Sequence, residues 1–299
     1  MSSDKHGSHS STGLGWVALF IVPSMLGVTV FYLWPILKTF LNSFMSFGAF
    51  GGAEFAGIDN YVRLFQDSSV PRAMMNTLIY TAIVMCGIPI AVYISSLLNR
   101  PGLRFAWIFR LMFFLPYVAM PTAIALVWRM IYNSEFGFLN YVLSLVGIQG
   151  PAWISTPGWA ILAVSVLGLW SSLGFAIIIL SAGLRAIPAE LYEAAQVDGA
   201  GNMRQFFSVT VPLLTPSIFF LTIITAINGF QLFDLLYALM GTSNPALPST
   251  QSMVYLFYEQ AFPQNQKGFA SAIAIVVLAM VAVVTLIQFT LQKRWVTYD

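Results

Sequence analysis

Residues 193–212 read EAAQVDGAGNMRQFFSVTVP, a short amphiphilic stretch between two long apolar runs. The rest of the chain offers little polar surface, because 58% of its 299 residues are hydrophobic and only 8% are charged. Soluble domains carry roughly a quarter charged residues, so lipid must cover the surface that this chain cannot make polar. A polar insert in such a chain has nothing of its own to pack against in water. We therefore interpret it as a docking surface for a soluble partner protein.

Six apolar runs in the sequence are long enough to cross a bilayer, which takes about 20 residues at a rise of about 1.5 Å each. We predict an all-α polytopic membrane protein with six transmembrane helices. Residues 1–15, rich in Ser, Gly and His, are predicted to form a disordered cytoplasmic tail, and residues 16–299 a single transmembrane domain. The predicted spans are about 16–37, 76–98, 105–131, 159–183, 213–240 and 269–291.

The distribution of basic residues predicts the orientation. With the N-terminal tail inside, seven basic residues fall on the cytoplasmic side and four outside, a modest positive-inside bias. An even number of spans then places both termini in the cytoplasm, together with the stretch 193–212 between spans four and five. Arg110 and Arg129 lie near opposite ends of the third run. We expect both side chains to extend to the two membrane interfaces.

Several function classes are poorly supported by the composition. The net charge of +2 is too small to indicate a nucleic-acid partner, and a single cysteine, Cys86, allows no intrachain disulfide. Both histidines, His6 and His9, fall in the predicted tail, and no predicted span carries paired carboxylates. We therefore expect no catalytic residue and no metal site. The sequence also lacks a Gly-x-x-x-x-Gly-Lys-Ser/Thr loop, so ATP binding is not expected in this chain.

The residues ahead of the insert favour a short helix. Pro188 suits the first helical position, and Glu190 and Glu193 fall in the first two turns, where the helix dipole favours acidic side chains. Gly199 is placed to end the helix. A helix of about ten residues is too short to be stable alone in water, which again indicates a partner.

The spacing within the insert resembles the EAA loop of ABC-importer permeases. Glu193-Ala-Ala is followed by three residues, then by Gly199, nine residues, and Val209-Thr-Val-Pro212. The family has Ile and Leu where this chain has Val209 and Val211. Asp198-Gly-Ala and the later Pro216 are similar to the carbohydrate-importer branch, which contains the maltose- and glycerol-phosphate-type permeases.

The same resemblance covers nearly the whole chain. Five further segments carry it, and they are similar to the family's first external segment, the opening of its third span, the approach to its coupling loop, its fifth span and its tail: residues 57–65, 110–116, 182–190, 229–234 and 293–296. Residues 241–245, Gly-Thr-Ser-Asn-Pro, depart from it, because the family has a more glycine-rich turn there.

The resemblance implies a type I importer fold in the cytoplasmic membrane of a prokaryote. It also implies that transport, ATP hydrolysis and cargo delivery are carried out by separate subunits. A second permease chain would complete the path as a heterodimer. Two ATP-binding-cassette ATPase subunits would bind ATP-Mg beneath it, and an extracytoplasmic sugar-binding protein would deliver the cargo. By the same resemblance, the residues that couple transport to the ATPase are Glu190, Tyr192, Glu193, Ala194, Ala195, Asp198 and Gly199.

Polar residues inside a membrane span are costly and mark candidate pathways. On a continuous fifth span, Asn228, Gln231 and Asp234 would fall within an arc of about 120°. The aromatic residues Phe230, Phe233 and Tyr237 lie beside them, and Trp170 comes from span four. Amides and carboxylates bond hydroxyls, and aromatic rings stack on sugar faces. Two interpretations stay open: contact with a sugar, or polar contact with a partner permease.

We therefore expect a non-catalytic permease subunit of an ATP-driven importer for a sugar or related polyol. The alternative is a stand-alone secondary transporter or channel for a small polar solute. Such a protein is expected to carry ion-coupling carboxylates or internal repeats, and Asp234 is the only clear acid within a predicted span.

Overall fold

The computed structural model describes residues 11–48, 52–100 and 102–296. The described residues are mostly helical, with one two-stranded antiparallel sheet. The strands are β1 (Met45–Phe47) and β2 (Ala53–Phe55). The helices are α1 (Ser11–Val28), α2 (Trp34–Asn42), α3 (Asp59–Gln66), α4 (Ser69–Met85), α5 (Gly87–Leu98), α6 (Ala106–Val118), α7 (Pro121–Ile131), α8 (Phe138–Leu145), α9 (Trp159–Ala186), α10 (Ala189–Val197), α11 (Asn202–Gln205), α12 (Val211–Leu213), α13 (Thr215–Phe230), α14 (Asp234–Met240), α15 (Leu247–Thr250), α16 (Met253–Ala261) and α17 (Lys267–Trp295). Two π-helical segments, Thr29–Leu33 and Phe206–Thr210, join α1 to α2 and α11 to α12.

Between four and six segments are able to span a membrane by length and composition. Four helical stretches qualify alone: Leu19–Asn42, Ser69–Leu98, Trp159–Ala186 and Lys267–Trp295. Two bent pairs of segments bring the number to six if each is one span. These pairs are α6 with α7, bent by 102°, and Asn202–Leu213 with α13, bent by 65°.

The third predicted span, 105–131, is broken and not straight. Ala119 and Met120 have extended backbone, with ψ of 147° and 132°, and Pro121 follows as the first residue of α7. A proline ring pushes the preceding residue out of the helical region and itself fits the first position of a new helix. The run therefore turns at this point.

The fifth predicted span, 213–240, is also interrupted. Helix α13 ends at Phe230 and α14 begins at Asp234, with Phe233 at φ −143° and ψ −64° between them. The Leu232 carbonyl at the break accepts a hydrogen bond from the Ser252 hydroxyl. This partner lies 20 residues further along the chain.

Two smaller expectations need correction. Helix α1 begins at Ser11, so residues 11–15 of the predicted tail are helical, whereas residues 1–10 lie outside the described residues. The β1–β2 hairpin adds a sheet to a chain that we predicted to be all-α. This hairpin packs closely on the start of α17, because a Cβ atom on Gly268 would collide with the Met45 carbonyl.

Helix α9 is the central packing element of the bundle, and it contacts α4, α5, α6, α13 and α14. Two of its glycines allow the closest approaches. A Cβ on Gly174 would collide with the backbone of Phe113 and Phe114, and a Cβ on Gly168 would collide with the Tyr80 ring. Small residues at such positions let membrane helices pack backbone to backbone. Helix α9 thereby holds five other helices of the bundle together.

Candidate functional site

Helix α10 carries the predicted coupling residues and lies on the surface, with no buried side chain. Pro188 is its N-cap, with φ −59° and ψ 135°, and so precedes the helix by one residue instead of opening it. Leu191 and Val197 are 43% and 88% exposed, and Met203 and Phe207 beyond the helix are 65% and 62% exposed. The helix and the segment that follows it therefore present apolar side chains to solvent in the isolated chain.

The end of α10 is fixed by a glycine cap. Gly199 has a φ of +74°, which favours a residue without a Cβ atom. The Gly199 amide donates to the Gln196 carbonyl at 3.0 Å, and the Ala200 amide donates to the Ala195 carbonyl at 2.8 Å, the hydrogen-bond pattern of a Schellman motif. Gly199 thus ends the helix, where the sequence predicts it.

One side-chain hydrogen bond ties α10 back to the chain. The hydroxyl groups of Tyr192 and Thr210 lie 3.0 Å apart. A cavity of about 590 Å³ lies between the helix and the ends of α5 and α9, and Asn99, Tyr192 and Glu193 are among the residues that line it. Of the predicted coupling residues, Tyr192 and Ala195 are partly buried, whereas Glu190, Glu193, Ala194, Asp198 and Gly199 are exposed.

Next to this cavity, the side chain of Arg110 lies at the ends of two predicted spans, 76–98 and 159–183. Its guanidinium donates to the Leu98 carbonyl at 3.0 Å and to Asn99 Oδ1 at 2.9 Å. Asn99 Nδ2 in turn donates to Ser181 Oγ at 3.0 Å. The side chain therefore sits at the C-terminal end of α5, where a cation is favourable, and joins α5, α6 and α9. Arg129, near the other end of the same predicted span, is exposed.

A second cavity, of about 240 Å³, contains three of the four predicted substrate-path residues, Asn228, Gln231 and Asp234. They do not share one helix face as predicted. Asn228 belongs to α13, Gln231 follows the last residue of that helix, and Asp234 begins α14. Because of the break between α13 and α14, these three residues form a polar cluster at the cavity wall and not a stripe along one helix.

Asn228, Gln231 and Asp234 are polar side chains in this cavity that are available to a ligand. None of the three side chains forms a hydrogen bond to any other described residue. Two stacked rings, Tyr117 and Phe175, form part of the same wall, with centroids 5.2 Å apart and an interplanar angle of 23°. The cavity therefore combines unpartnered amides and a carboxylate with aromatic faces.

Trp170 does not line this cavity. Its ring packs against Trp128, with centroids 5.4 Å apart, and 38% of the residue is exposed. The neighbouring Ser171 and Ser172 line the cavity instead, and both hydroxyls donate to carbonyls of their own helix. Phe230, expected beside the polar residues, is buried in the core at 2% exposure.

Sequence reasoning did not group a set of five rings that the fold brings together, which we call the aromatic cluster. Its members come from the break after α13, from α14 and from α16 or its end: Phe233, Tyr237, Tyr255, Tyr258 and Phe262. Hydrogen bonding to the Tyr237 side chain is the main cause that raises the pKa of Tyr258 above its ordinary value. Tyr258 is therefore a neutral phenol at physiological pH.

The described ranges contain no group of three or more His, Cys, Asp or Glu side chains placed to hold a metal ion. What the two sites offer is an exposed helix at one end of the bundle and a polar, ring-walled cavity within it. These are features of binding and conduction, and neither combines a nucleophile with a base.

Comparison with known proteins identifies the family. Residues 83–297 match the family model described as binding-protein-dependent transport system inner membrane component. The probable ABC transporter permease protein YurN of Bacillus subtilis (strain 168) is 35% identical, over 92% of this chain and 95% of that protein. The lactose transport system permease protein LacF of Rhizobium radiobacter is 32% identical, over 92% of each chain.

A solved structure has the same fold. It is the crystal structure of a bacterial alginate ABC transporter in complex with an alginate pentasaccharide-bound periplasmic protein. One chain of it matches with a TM-score of 0.81 at 20% identity, over 93% of this chain and 94% of that chain. The chain described here belongs to the family of binding-protein-dependent transport system inner membrane components, the non-catalytic, multi-pass permease subunits of ABC importers.

Proposed function

We propose that this permease subunit conducts a sugar or a related polyol across the cytoplasmic membrane, with energy from ATP-Mg bound and hydrolysed in two partner ATPase subunits. The observation that carries the proposal is the cavity in which Asn228, Gln231 and Asp234 meet beside stacked rings, with no side-chain hydrogen bond to any residue that the structure describes. Hydroxyl-rich ligands satisfy amides and carboxylates, and their C–H faces suit aromatic walls. The named cargo of the relative LacF, lactose, supports the same substrate class.

The proposed assembly contains four further partners. A second permease would complete the wall of the path, the two ATPase subunits would sit beneath, and an extracytoplasmic sugar-binding protein would load the cargo. The family assignment favours this importer over a stand-alone transporter or channel, because its members work with a binding protein, as their family description says.

Substrate conduction is tested by reconstitution. The complete transporter in proteoliposomes, with its binding protein outside, is offered labelled di- and oligosaccharides, including lactose, and the polyol sorbitol. We expect ATP-dependent uptake of at least one of these compounds. The double variant Asn228→Ala, Gln231→Ala should lower that uptake at least tenfold in fully assembled complexes, since two hydrogen-bonding groups are lost at the cavity wall.

Gln264→Ala removes an exposed amide outside the cavity and serves as the matched control. Normal uptake and normal ATPase stimulation in the double variant, combined with weaker assembly, would contradict the substrate role. Asn228 and Gln231 would then be polar contacts to the partner permease.

We further propose that α10 is the coupling helix and faces the cytoplasm, with six spans and both termini on that side. Its exposed apolar side chains and its short length support a docked partner. By this proposal Glu190, Tyr192, Glu193, Ala194, Ala195, Asp198 and Gly199 form or hold the surface that an ATPase subunit contacts.

Orientation is tested by thiol labelling in intact cells. The single cysteine, Cys86, is replaced by Ser, and one new thiol is placed by Val197→Cys or by Phe262→Cys, both at exposed positions. We expect a membrane-impermeant maleimide to label the Phe262→Cys variant directly and the Val197→Cys variant only after permeabilisation. The reverse pattern would place α10 outside and defeat the coupling role.

A further inference from the structure

The aromatic cluster connects the cavity to the surface of the bundle. Phe233 lines the cavity, and its ring centroid lies 5.0 Å from that of Tyr258. Tyr258 lies 5.4 Å from Phe262, which is 68% exposed. Tyr237 stacks on Phe233 at 5.5 Å and 28°. Neighbouring rings therefore form a continuous row from the exposed Phe262 to the cavity wall.

Tyr255, the fifth ring of the aromatic cluster, belongs to the core, and Phe233 packs against that core. Tyr255 is 4% exposed and belongs to a buried cluster with residues of α9 and α14. Tyr237 is 37% exposed, and Phe233 and Tyr258 are partly exposed in the isolated chain. Rings that served only to fill the protein interior would be buried. Those of Tyr237, Tyr258 and Phe262 instead keep surface available to another molecule.

The row lies at the end of the bundle opposite α10. Helix α9 ends next to α10, and α13 runs back from that end, so α14, α15 and α16 lie at the far end. Helix α17 then returns, and its last residue, Trp295, packs on Phe219 near the start of α13. In the orientation proposed above, the row of rings stands at the outer mouth of the path.

The chemistry of the row matches one ligand class. An aromatic face carries negative charge density, and a pyranose ring presents a face of weakly positive axial C–H groups. The hydroxyls of Tyr237 and Tyr258 can donate and accept hydrogen bonds at the ring edges, which suits sugar hydroxyls. We propose that the aromatic cluster is a second sugar-contact site, on which an incoming pyranose ring stacks before it reaches Asn228, Gln231 and Asp234.

This inference rests on the proposed function, because it takes the cargo to be a sugar. It adds a site outside the cavity and specifies that the cargo contains at least one ring with a flat apolar face. The competing role for the same rings is contact with a neighbouring protein chain, either the second permease or the binding protein. The experiment separates these roles.

Saturation-transfer difference NMR measures the stacking directly. The complete transporter is placed in lipid nanodiscs, so that no detergent with a sugar headgroup competes. The probe is methyl β-D-glucopyranoside, and its ringless counterpart is sorbitol. We expect saturation of the axial ring protons of the glucoside well above that of any sorbitol proton. The double variant Tyr258→Leu, Phe262→Leu should lower the glucoside signal at least threefold, because leucine keeps apolar surface but has no aromatic face.

Two further variants complete the series. Tyr258→Phe keeps the ring and should retain most of the signal. Phe65→Leu removes a ring that is 93% exposed on α3 and outside the cluster, and should leave the signal unchanged. A glucoside signal no larger than that of sorbitol, or one that the double Leu variant leaves intact, would overturn the proposal. Loss of assembly in the double variant with the signal per complex retained would assign the rings to a protein contact.

The two proposals fail in different ways. Absence of uptake of every offered sugar and polyol by the wild-type proteoliposomes defeats the proposed function, whatever the NMR signal. Normal uptake together with no ring-dependent signal defeats only the second contact site.

Discussion

Helices α10 and α16 have the same length, nine residues, and opposite relations to the rest of the molecule. Helix α10 buries none of its side chains, whereas α16 buries Met253, Tyr255, Leu256 and Gln260. A helix this short is not stable alone in water, so each must be held by something else. The difference shows that packing within this chain stabilises α16 but not α10.

The hydrogen bonds at the two helices show the same contrast. Before α16, Asn76 Nδ2 donates to the Ser249 and Gln251 carbonyls at 2.9 and 3.0 Å. At its start, the Met253 amide donates to Thr77 Oγ1 at 3.0 Å. Helix α10 has the Tyr192–Thr210 bond and its glycine cap. Helix α16 is thus a fixed frame for the aromatic cluster, and α10 is a surface that a partner stabilises.

The largest expected effect comes from Asn76→Ala. The side chain is buried at 7% exposure, and its loss leaves two carbonyls without their donor. We expect the free energy of unfolding to fall by about 3 kcal/mol, from the two lost bonds together. Denaturant unfolding in nanodiscs measures it. Asn202→Ala, at an exposed position, is the control and should change little. An equal loss of unfolding free energy in both variants would show that the two Asn76 hydrogen bonds do not hold α16 in place.

Ser252→Ala should have the next largest effect. The Ser252 hydroxyl caps α16 by accepting from the Tyr255 amide at 3.1 Å, and it donates to the Leu232 carbonyl at the break after α13. Loss of a cap and of a buried donor should lower the free energy of unfolding by about 2 kcal/mol. Thermal unfolding measures this loss, with Ser243→Ala at an exposed position as the comparison. An unchanged unfolding midpoint would mean that α16 does not hold the break in place.

Gly199→Ala tests α10. A Cβ at this residue meets nothing within 4 Å, so the penalty is the left-handed backbone alone, about 1 kcal/mol. Gly201→Ala is a matched control, because its Cβ also meets open space and its φ is negative. If α10 docks on an ATPase subunit, the Gly199 variant should lower the affinity for that subunit about fivefold. Co-purification measures it, and equal behaviour of the two variants would argue against a role for the cap.

Tyr192→Phe has the smallest expected effect. It removes one partly buried hydrogen bond, to Thr210, worth about 0.5 kcal/mol. Global unfolding should not change measurably, while amide hydrogen exchange in α10 should rise about twofold, because the helix opens locally. Tyr141→Phe, at an exposed position on α8, is the control. A lower free energy of global unfolding would contradict this, because it would show that α10 unfolds together with the rest of the protein.

Much of the fold follows from local sequence. The apolar runs mark the long helices because span length is set by the bilayer, and the position of Gly199 marks the end of α10 because only glycine adopts its φ readily. The bend at Met120 also has a local cause, the following Pro121, although its size of 102° does not follow from the proline alone.

Features set by distant partners could not be predicted. The break after α13 depends on Ser252, and the position of Arg110 depends on a carbonyl of α5. Grouping of the five rings likewise needs α14 and α16 to meet in space. The polar residues Asn228, Gln231 and Asp234 were recognisable by type, because polar groups in an apolar run are rare, but not by geometry, because the helix that would align them ends at Phe230.

The turn between α6 and α7 has a consequence for membrane thickness. The 13 residues of α6 and the 11 of α7 rise about 20 Å and about 16 Å along their own axes. With a bend of 102° between them, the pair reaches only about 20–23 Å along the membrane normal, whereas the hydrocarbon layer is about 30 Å deep. Ala119 and Pro121, at the corner, both line the smaller cavity. Lipid tails cannot satisfy backbone groups at such a corner, so we expect protein or water, and not lipid, to lie against it.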